Sequence, residues 1–176
     1  MKIFKRKISL IAYDFDGVMT DNRAMIFNSG EEAVFINRSD GLAIEKIKSL
    51  GILQIIISTE KNNIVLQRAK KLNIPAINGV RSKVIELKNF VENNKINLSE
   101  TAFFGNDLND LDVMDIVGLK IAPSDAAKEI LNIADYITKT KGGFGVIREF
   151  YSKLIEENKW INSRKITMST LLLKLA

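Results

Sequence analysis

The 176-residue chain has no cysteine and no histidine. The first absence excludes disulfides, thiolate nucleophiles and thiolate-held zinc; the second excludes serine–histidine triads and phosphohistidine chemistry. Long apolar runs are also missing, and none approaches the ~20 residues that span a bilayer. The basic opening Met1–Lys7 is not followed by a long apolar region with a small-residue cleavage site. No signal peptide, no membrane partner and a cytoplasmic location are therefore expected. Proline stands at two places, Pro75 and Pro123, each where an element is expected to stop. Any catalysis is left to carboxylates, hydroxyls, lysines, arginines and a hard, oxygen-seeking metal ion.

What is present describes one ordinary globular unit. Apolar residues make up 46% and charged residues 27%. We expect a single domain over 1–160 and a C-terminal tail over 161–176, whose apolar run from Ile166 to Leu175 is a candidate oligomer contact. Net charge is +5, and Lys141–Ala176 holds seven basic against three acidic residues. The basic residues are scattered and no aromatics interleave them. No nucleic-acid partner is expected; an anionic small molecule fits better.

In chain order, the run Ile8–Ala12 reads as a buried strand ending at Tyr13-Asp14-Phe15-Asp16-Gly17-Val18. Ala24–Asn28 and Ala33–Asn37 read as two strands around the turn residues Asn28-Ser29-Gly30-Glu31, a β-hairpin flap. Ser39-Asp40-Gly41 opens a helix over Leu42–Leu50, closed by Gly51. The next elements are a strand Ile52–Ile57 stopping at Ser58-Thr59, a helix over about Asn62–Leu72, and a short strand near Ala76. Ser82 caps a helix over Lys83–Glu92. A strand Ala102–Phe104 runs into Gly105-Asn106-Asp107, and a helix is expected over Leu108–Ile116. The strand Leu119–Ala122 stops at Pro123, Ser124 caps a helix through about Ala134, Tyr136–Ile137 forms an edge strand, and Val146–Asn158 forms the last helix. This alternation predicts an α/β three-layer sandwich around a mostly parallel sheet, with right-handed crossovers.

In such sheets ligands bind beyond the carboxyl ends of the strands. The polar residues fall there: Asp14 and Asp16, Ser58 and Thr59, Asn106 and Asp107. Each has a plainer role. Asp107 and Ser58 or Thr59 are suited to capping the helices they precede, Lys83 to solvent, and Asp110 to the first turn of a helix. Capping does not account for their joint occurrence in this order at alternating strand ends. Two carboxylates at one strand end repel unless a cation or a shared proton intervenes.

Asp14-Phe15-Asp16-Gly17-Val18, then Ser58, Lys83 and Gly105-Asn106-Asp107-Leu108-Asn109-Asp110 resemble the four ordered motifs of the haloacid-dehalogenase-like (HAD) phosphohydrolases. The further features Thr20-Asp21, Ser39-Asp40-Gly41, Asn78-Gly79 and Gly142-Gly143-x-Gly145-x-x-Arg148-Glu149 resemble its small capless branch, the 3-deoxy-D-manno-octulosonate 8-phosphate phosphatase family with its nonulosonate 9-phosphate relatives. The resemblance implies a HAD-like Rossmannoid sheet. Spacing agrees with the absence of a cap: 41 residues separate Asp16 from Ser58 and 24 separate Ser58 from Lys83, too few for a cap domain.

The resemblance also implies roles. Asp14 would be the nucleophile of an aspartyl-phosphate route and Asp16 the general acid and base. Asp14, the Asp16 backbone carbonyl and Asp107 would hold Mg²⁺. Ser58 and Lys83 would bind phosphate, with Asp110 orienting Lys83 or a metal-bound water. Octulosonate phosphatases of the branch carry Thr-Gly-Arg at the second motif, where this chain reads Ser58-Thr59-Glu60. Glu60, Arg68 and Lys71 match the residues with which nonulosonate relatives bind the sugar acid, although all three also suit a solvated helix. A homotetramer whose neighbour covers the open site is implied as well. The competing reading is a non-catalytic oligomerisation module related to the tail domain of acylneuraminate cytidylyltransferases.

Overall fold

The computed structural model describes residues 7–157. Strand β1 (Leu10–Tyr13) lies at the centre of a six-stranded sheet, with β4 (Leu53–Ile57) and β5 (Ala76–Ile77) on one side. On the other side lie β6 (Thr101–Phe104), β7 (Leu119–Ala122) and β8 (Tyr136–Ile137). Every neighbouring pair is parallel. The strands are short and nearly all apolar because both faces are covered. Successive side chains point to opposite faces. Ile11, Tyr13, Ile56 and Phe104 therefore join one core with Ile44, Ile47 and Phe150. Leu10, Ala12, Ile57 and Phe103 join the other with Leu87, Val113 and Ile130.

The helices divide accordingly. One layer contains α1 (Arg38–Lys48), α2 (Ile64–Leu72) and α6 (Val146–Glu157). The other contains α3 (Lys83–Asn93), α4 (Leu111–Asp115) and α5 (Lys128–Ile133). Between β1 and β4 the chain forms the expected hairpin, β2 (Thr20–Ile26) paired antiparallel with β3 (Glu32–Ile36), and then α1. Between β4 and Lys83 there are α2 and β5 alone, so neither gap carries a cap.

The starts of α1, α4 and α5 differ from expectation. Helix α1 starts earlier, at Arg38, because Asn37 Oδ1 accepts from Ser39 N at 2.9 Å and caps it. Leu108–Asp110 forms a 3-10 turn before α4, since the Asp110 carboxylate reaches back to the chain ahead of it. Ser124 does not cap α5: its N–H donates to the Thr140 carbonyl, and the helix begins only at Lys128. The end expected for α6 at Asn158, and the whole 161–176 tail, lie outside the described residues. Among the described residues no helix is long and apolar enough to cross a membrane.

Candidate active site

The carboxyl ends of β1, β4 and β6 deliver Asp14, Ser58 and Asn106 to one end of the sheet, as the parallel topology requires. Asp14, Asp16, Ser58, Thr59, Glu60, Asn106, Asp107 and Asn109 line one crevice of about 340 Å³. A second hollow of about 260 Å³ adjoins it at Asp16, Asn22 and Glu60. This hollow runs between the hairpin and α2, lined further by Arg23, Glu32, Val34 and Asn62.

Asp14 is buried, 5% exposed, and its N–H donates to the Phe104 carbonyl, which fixes it to the neighbouring strand. Beneath it lies Lys83, 3% exposed, with Nζ 2.8 Å from Asp14 Oδ1 and 2.5 Å from Asp110 Oδ1. Ser82 caps α3 and so places Lys83 at the first helical position, facing inward. Asp110 is wholly buried, and its other oxygen accepts from Asn106 N at 2.9 Å and Asp107 N at 3.3 Å. One carboxylate thus orients the lysine and pins the loop after β6. Gly105 lets that loop approach: a Cβ there would lie 2.7 Å from Asp110 Cβ and 2.7 Å from Met114 Sδ.

Burial pushes the Asp14 carboxyl up to about 7, aided by the Asp110 charge and opposed by Lys83. Burial alone would lower the Lys83 ammonium, but Asp14 and Asp110 outweigh it and hold it above its ordinary value. Asp16 is half-buried, and burial also raises its carboxyl, against a hydrogen bond donated by Thr20 Oγ1 at 3.1 Å. A carboxyl that keeps its proton more readily than usual suits general acid work. Ser58 is 1% exposed, with its Oγ accepting from Glu60 N at 3.1 Å. Its hydroxyl retains a proton to donate to an anion.

The structure therefore brings together Asp14, Asp16, Ser58, Lys83 and Asp110, with Glu60 and Asp107 at the rim. Arg68 and Lys71 are not brought there by their own chain. Arg68 lies a turn further along α2 and donates from Nη2 to the Asn37 carbonyl at 3.2 Å, facing the start of α1. Lys71 is exposed near the far end of α2. Asp107 is exposed, and its Oδ1 accepts from Leu108 N at 2.7 Å, which caps the turn that follows. Among the described residues no three acidic side chains form a ready metal cage.

Sequence reasoning placed Asn106 at a strand end but gave it no role. Its buried amide faces two acceptors, Asp14 Oδ2 at 3.1 Å and the Asp16 carbonyl at 2.8 Å, and donates to both with nitrogen on that side. Its place directly after Gly105 at the strand end was read, but its neutral side chain drew no assignment. Gly17 makes room for it: the glycine has φ +77°, and a Cβ there would run into the Asn106 amide. Thr20 was read only as part of a motif and given no role, and Arg23 was missed. Arg23 lines the second hollow with its guanidinium held by Asp21 Oδ2 at 2.6 and 2.9 Å.

The oxygen-rich donor set of Asp14, the Asp16 carbonyl, Asn106 and the rim carboxylate of Asp107 fits a hard divalent cation such as Mg²⁺.

Residues 42–150 match the model of the haloacid dehalogenase-like hydrolases. The chain is 34% identical over 149 residues to the 3-deoxy-D-manno-octulosonate 8-phosphate phosphatase of Escherichia coli, covering 84% of this chain and 79% of that protein. It superposes with a TM-score of 0.84, at 30% identity, on the Moraxella catarrhalis phosphatase of the same name, solved with magnesium, phosphate and the sugar acid KDO. That likeness covers 92% of this chain and 93% of the other. An N-acylneuraminate cytidylyltransferase of Oncorhynchus mykiss is 28% identical over 154 residues, 84% of this chain but 35% of that longer protein.

Proposed function

The chain belongs to the haloacid dehalogenase-like hydrolases and is a phosphoric monoester hydrolase among them, and on that footing we propose that it hydrolyses the phosphate ester of a 3-deoxy-2-ulosonic acid in a Mg²⁺-dependent reaction. The names of its relatives support 3-deoxy-D-manno-octulosonate 8-phosphate. Glu60, in place of the arginine of the octulosonate enzymes, supports a nine-carbon ulosonate 9-phosphate. Its position between the two hollows supports a part in choosing the sugar.

The observation that carries the reading is the Asp14–Lys83–Asp110 chain beside Asp16 in one crevice. In the proposed reaction an Asp14 carboxylate oxygen bonds to phosphorus as the bond to the sugar oxygen breaks. Asp16 gives its proton to the departing oxygen, then takes one from the water that hydrolyses the aspartyl-phosphate. The Ser58 hydroxyl donates to a phosphate oxygen, and Lys83 supplies positive charge beneath Asp14. Bound Mg²⁺ would add neutralisation of the phosphate oxygens, held by Asp14, the Asp16 carbonyl and the side chains after β6. Arg68 has no place in this reading within one chain. The exposed apolar row on the hairpin, with Ile26 71% and Phe35 67% exposed, supports self-association.

Phosphate release with Mg²⁺ across a panel of 2-keto-3-deoxy sugar phosphates tests it. Asp14→Asn abolishes turnover while leaving the fold intact, and EDTA abolishes it reversibly. Undiminished hydrolysis by Asp14→Asn sinks the mechanism. Octulosonate 8-phosphate turned over at least as efficiently as any nonulosonate 9-phosphate sinks the Glu60 argument. The non-catalytic module is not favoured, because a chain freed from catalysis has no need to keep Lys83 buried between two carboxylates.

A further inference from the structure

The first turn of α6 and the residues ahead of it carry a motif that the reaction above leaves unused, Gly142-Gly143-x-Gly145-x-x-Arg148-Glu149. Its two leading glycines lie against the turn that follows Asp16. A Cβ on Gly142 would run into the Gly17 carbonyl oxygen, and one on Gly143, whose φ is +73°, into the Thr20–Asp21 peptide. Gly143 N–H donates to the Val18 carbonyl at 3.0 Å. The same turn is closed by Met19 N and Thr20 N, which both donate to the Phe15 carbonyl, and Thr20 Oγ1 donates to the Asp16 carboxylate at 3.1 Å. The glycine pair therefore backs the turn from which the Asp16 carboxylate is held.

Glu149 fastens that pair. Its half-buried carboxylate accepts at both oxygens: Oε1 from Lys139 N at 2.8 Å and the Tyr136 hydroxyl at 3.0 Å, Oε2 from Thr140 N at 2.9 Å and Thr140 Oγ1 at 2.5 Å. Hydrogen bonds to an ionised carboxylate are the stronger kind, and these tie the chain after β8 to α6. Asp125 Oδ1 accepts from Gly142 N at 2.9 Å and holds the stretch that follows. The start of α6 is fixed in turn to α1, where the buried Asp40 accepts from Arg148 N at 2.8 Å. Residues 139–145 are thus anchored at both ends, and their middle bears on the Asp16 turn.

We propose that Glu149 is a positioning residue for Asp16: through residues 139–143 it steadies the Gly17–Asp21 turn and keeps the Asp16 carboxyl where it can protonate the leaving oxygen. The proposal rests on the reading of Asp16 as general acid. Among the described residues no cap closes on this turn from the crevice side, so its support comes from behind. A proton donor must lie within hydrogen-bond reach of the oxygen it serves, and a misplacement of about 1 Å can cost about 10²-fold.

The test compares the full-length wild type with Glu149→Gln, in Mg²⁺, on two esters. One is the 2-keto-3-deoxy sugar phosphate that wild type turns over best in the panel above; the other is para-nitrophenyl phosphate. A sugar alkoxide needs a proton to leave, whereas nitrophenolate leaves without one. kcat/KM reports phosphoryl transfer to Asp14, before water is activated. Glu149→Gln sets an amide NH₂ against groups that only donate to it. It is expected to lower kcat/KM for the sugar phosphate about tenfold, within the ~10²–10⁴-fold that general acid catalysis supplies, and to leave para-nitrophenyl phosphate within about twofold. An equal fall on both esters, as a loosened fold would give, or no fall on the sugar phosphate, overturns the proposal. Should Glu149→Gln fail to fold, Asp125→Ala, at an exposed position, is expected to show the same selective loss, and an equal or absent loss there overturns it. Asp16→Asn run alongside separates the two readings. Equal loss on both esters in Asp16→Asn removes Asp16 as general acid and this proposal with it; selective loss there with none in Glu149→Gln overturns this proposal alone.

Discussion

Replacing Lys83 by methionine keeps most of the side-chain volume and removes its charge. The ammonium lies 2.8 Å from Asp14 and 2.5 Å from Asp110, with all three side chains at least nine-tenths buried. At an effective dielectric of about 20, a unit pair 2.8 Å apart is worth roughly 6 kcal/mol. Desolvation of the lysine returns part of that, and uptake of a proton by one of the stranded carboxylates returns more. Breaking a buried pair by removing one partner typically costs about 3–5 kcal/mol. For a domain of this size that is a fall in Tm of about 10 °C.

Thermal melts in EDTA would show the fall, with Asp110→Asn and the double variant completing a cycle. The coupling between Lys83 and Asp110 should be about 1–3 kcal/mol. The same substitution should lower kcat by about 10²–10³-fold. A metal-free Tm within about 2 °C of wild type, together with additive effects in the cycle, would refute the reasoning.

Asp40 gives a pH dependence that Asp40→Asn should remove. Burial pushes its carboxyl up to about 6, against backbone N–H groups at the start of α6 and the charges of Arg68 and Arg148. The unfolded carboxyl titrates near ~3.9, so in the window between the folded chain holds a proton that the unfolded chain releases. Stability should fall by about 3 kcal/mol as pH rises through that window and be fully lost above about 6. Urea midpoints compared with Asp40→Asn from pH 4 to 7 check it, and a constant difference between the two proteins contradicts it. If the chain self-associates through the hairpin, as proposed, Ile26→Ser with Phe35→Ser should lower the mass found by light scattering while the melting transition persists; an unchanged mass rules the hairpin out as a self-association surface.

The sheet was legible because a strand buried on both faces must be apolar throughout. Ile55-Ile56-Ile57 and Ala102-Phe103-Phe104 have no other use in a chain of this composition. The hairpin was legible from turn chemistry at Ser29-Gly30, where Gly30 has φ +83°. What stayed hidden depends on partners distant in sequence. No local signal shows that the Asp110 carboxylate folds back onto Asn106 N and tightens the next turn. No periodicity shows that Arg68 turns to the Asn37 carbonyl rather than to the crevice, since that depends on how α2 packs on α1. At the site, reading by charge chose Asp107 over its neighbour, whereas the strand's geometry turns Asn106 inward and leaves Asp107 to cap.

The charge around the crevice argues for a divalent cation independently of any relative. Asp14, Asp16, Glu60 and Asp107 line it, and Glu32 lies in the adjoining hollow. The cations within reach are already engaged: Lys83 by Asp14 and Asp110, Arg23 by Asp21. A phosphate dianion approaching this wall meets carboxylates whose repulsion, at an effective dielectric of about 20, is about 4 kcal/mol for each unit pair at 4 Å. The wall can change that balance by taking up protons, as the raised Asp14 and Asp16 carboxyls do in part. A protonated Asp14, however, is no nucleophile. A divalent ion seated among Asp14, the Asp16 carbonyl and Asn106 reverses the local sign while keeping Asp14 ionised. The need for an ionised nucleophile within an acidic crevice therefore points to the metal more directly than any single ligand does.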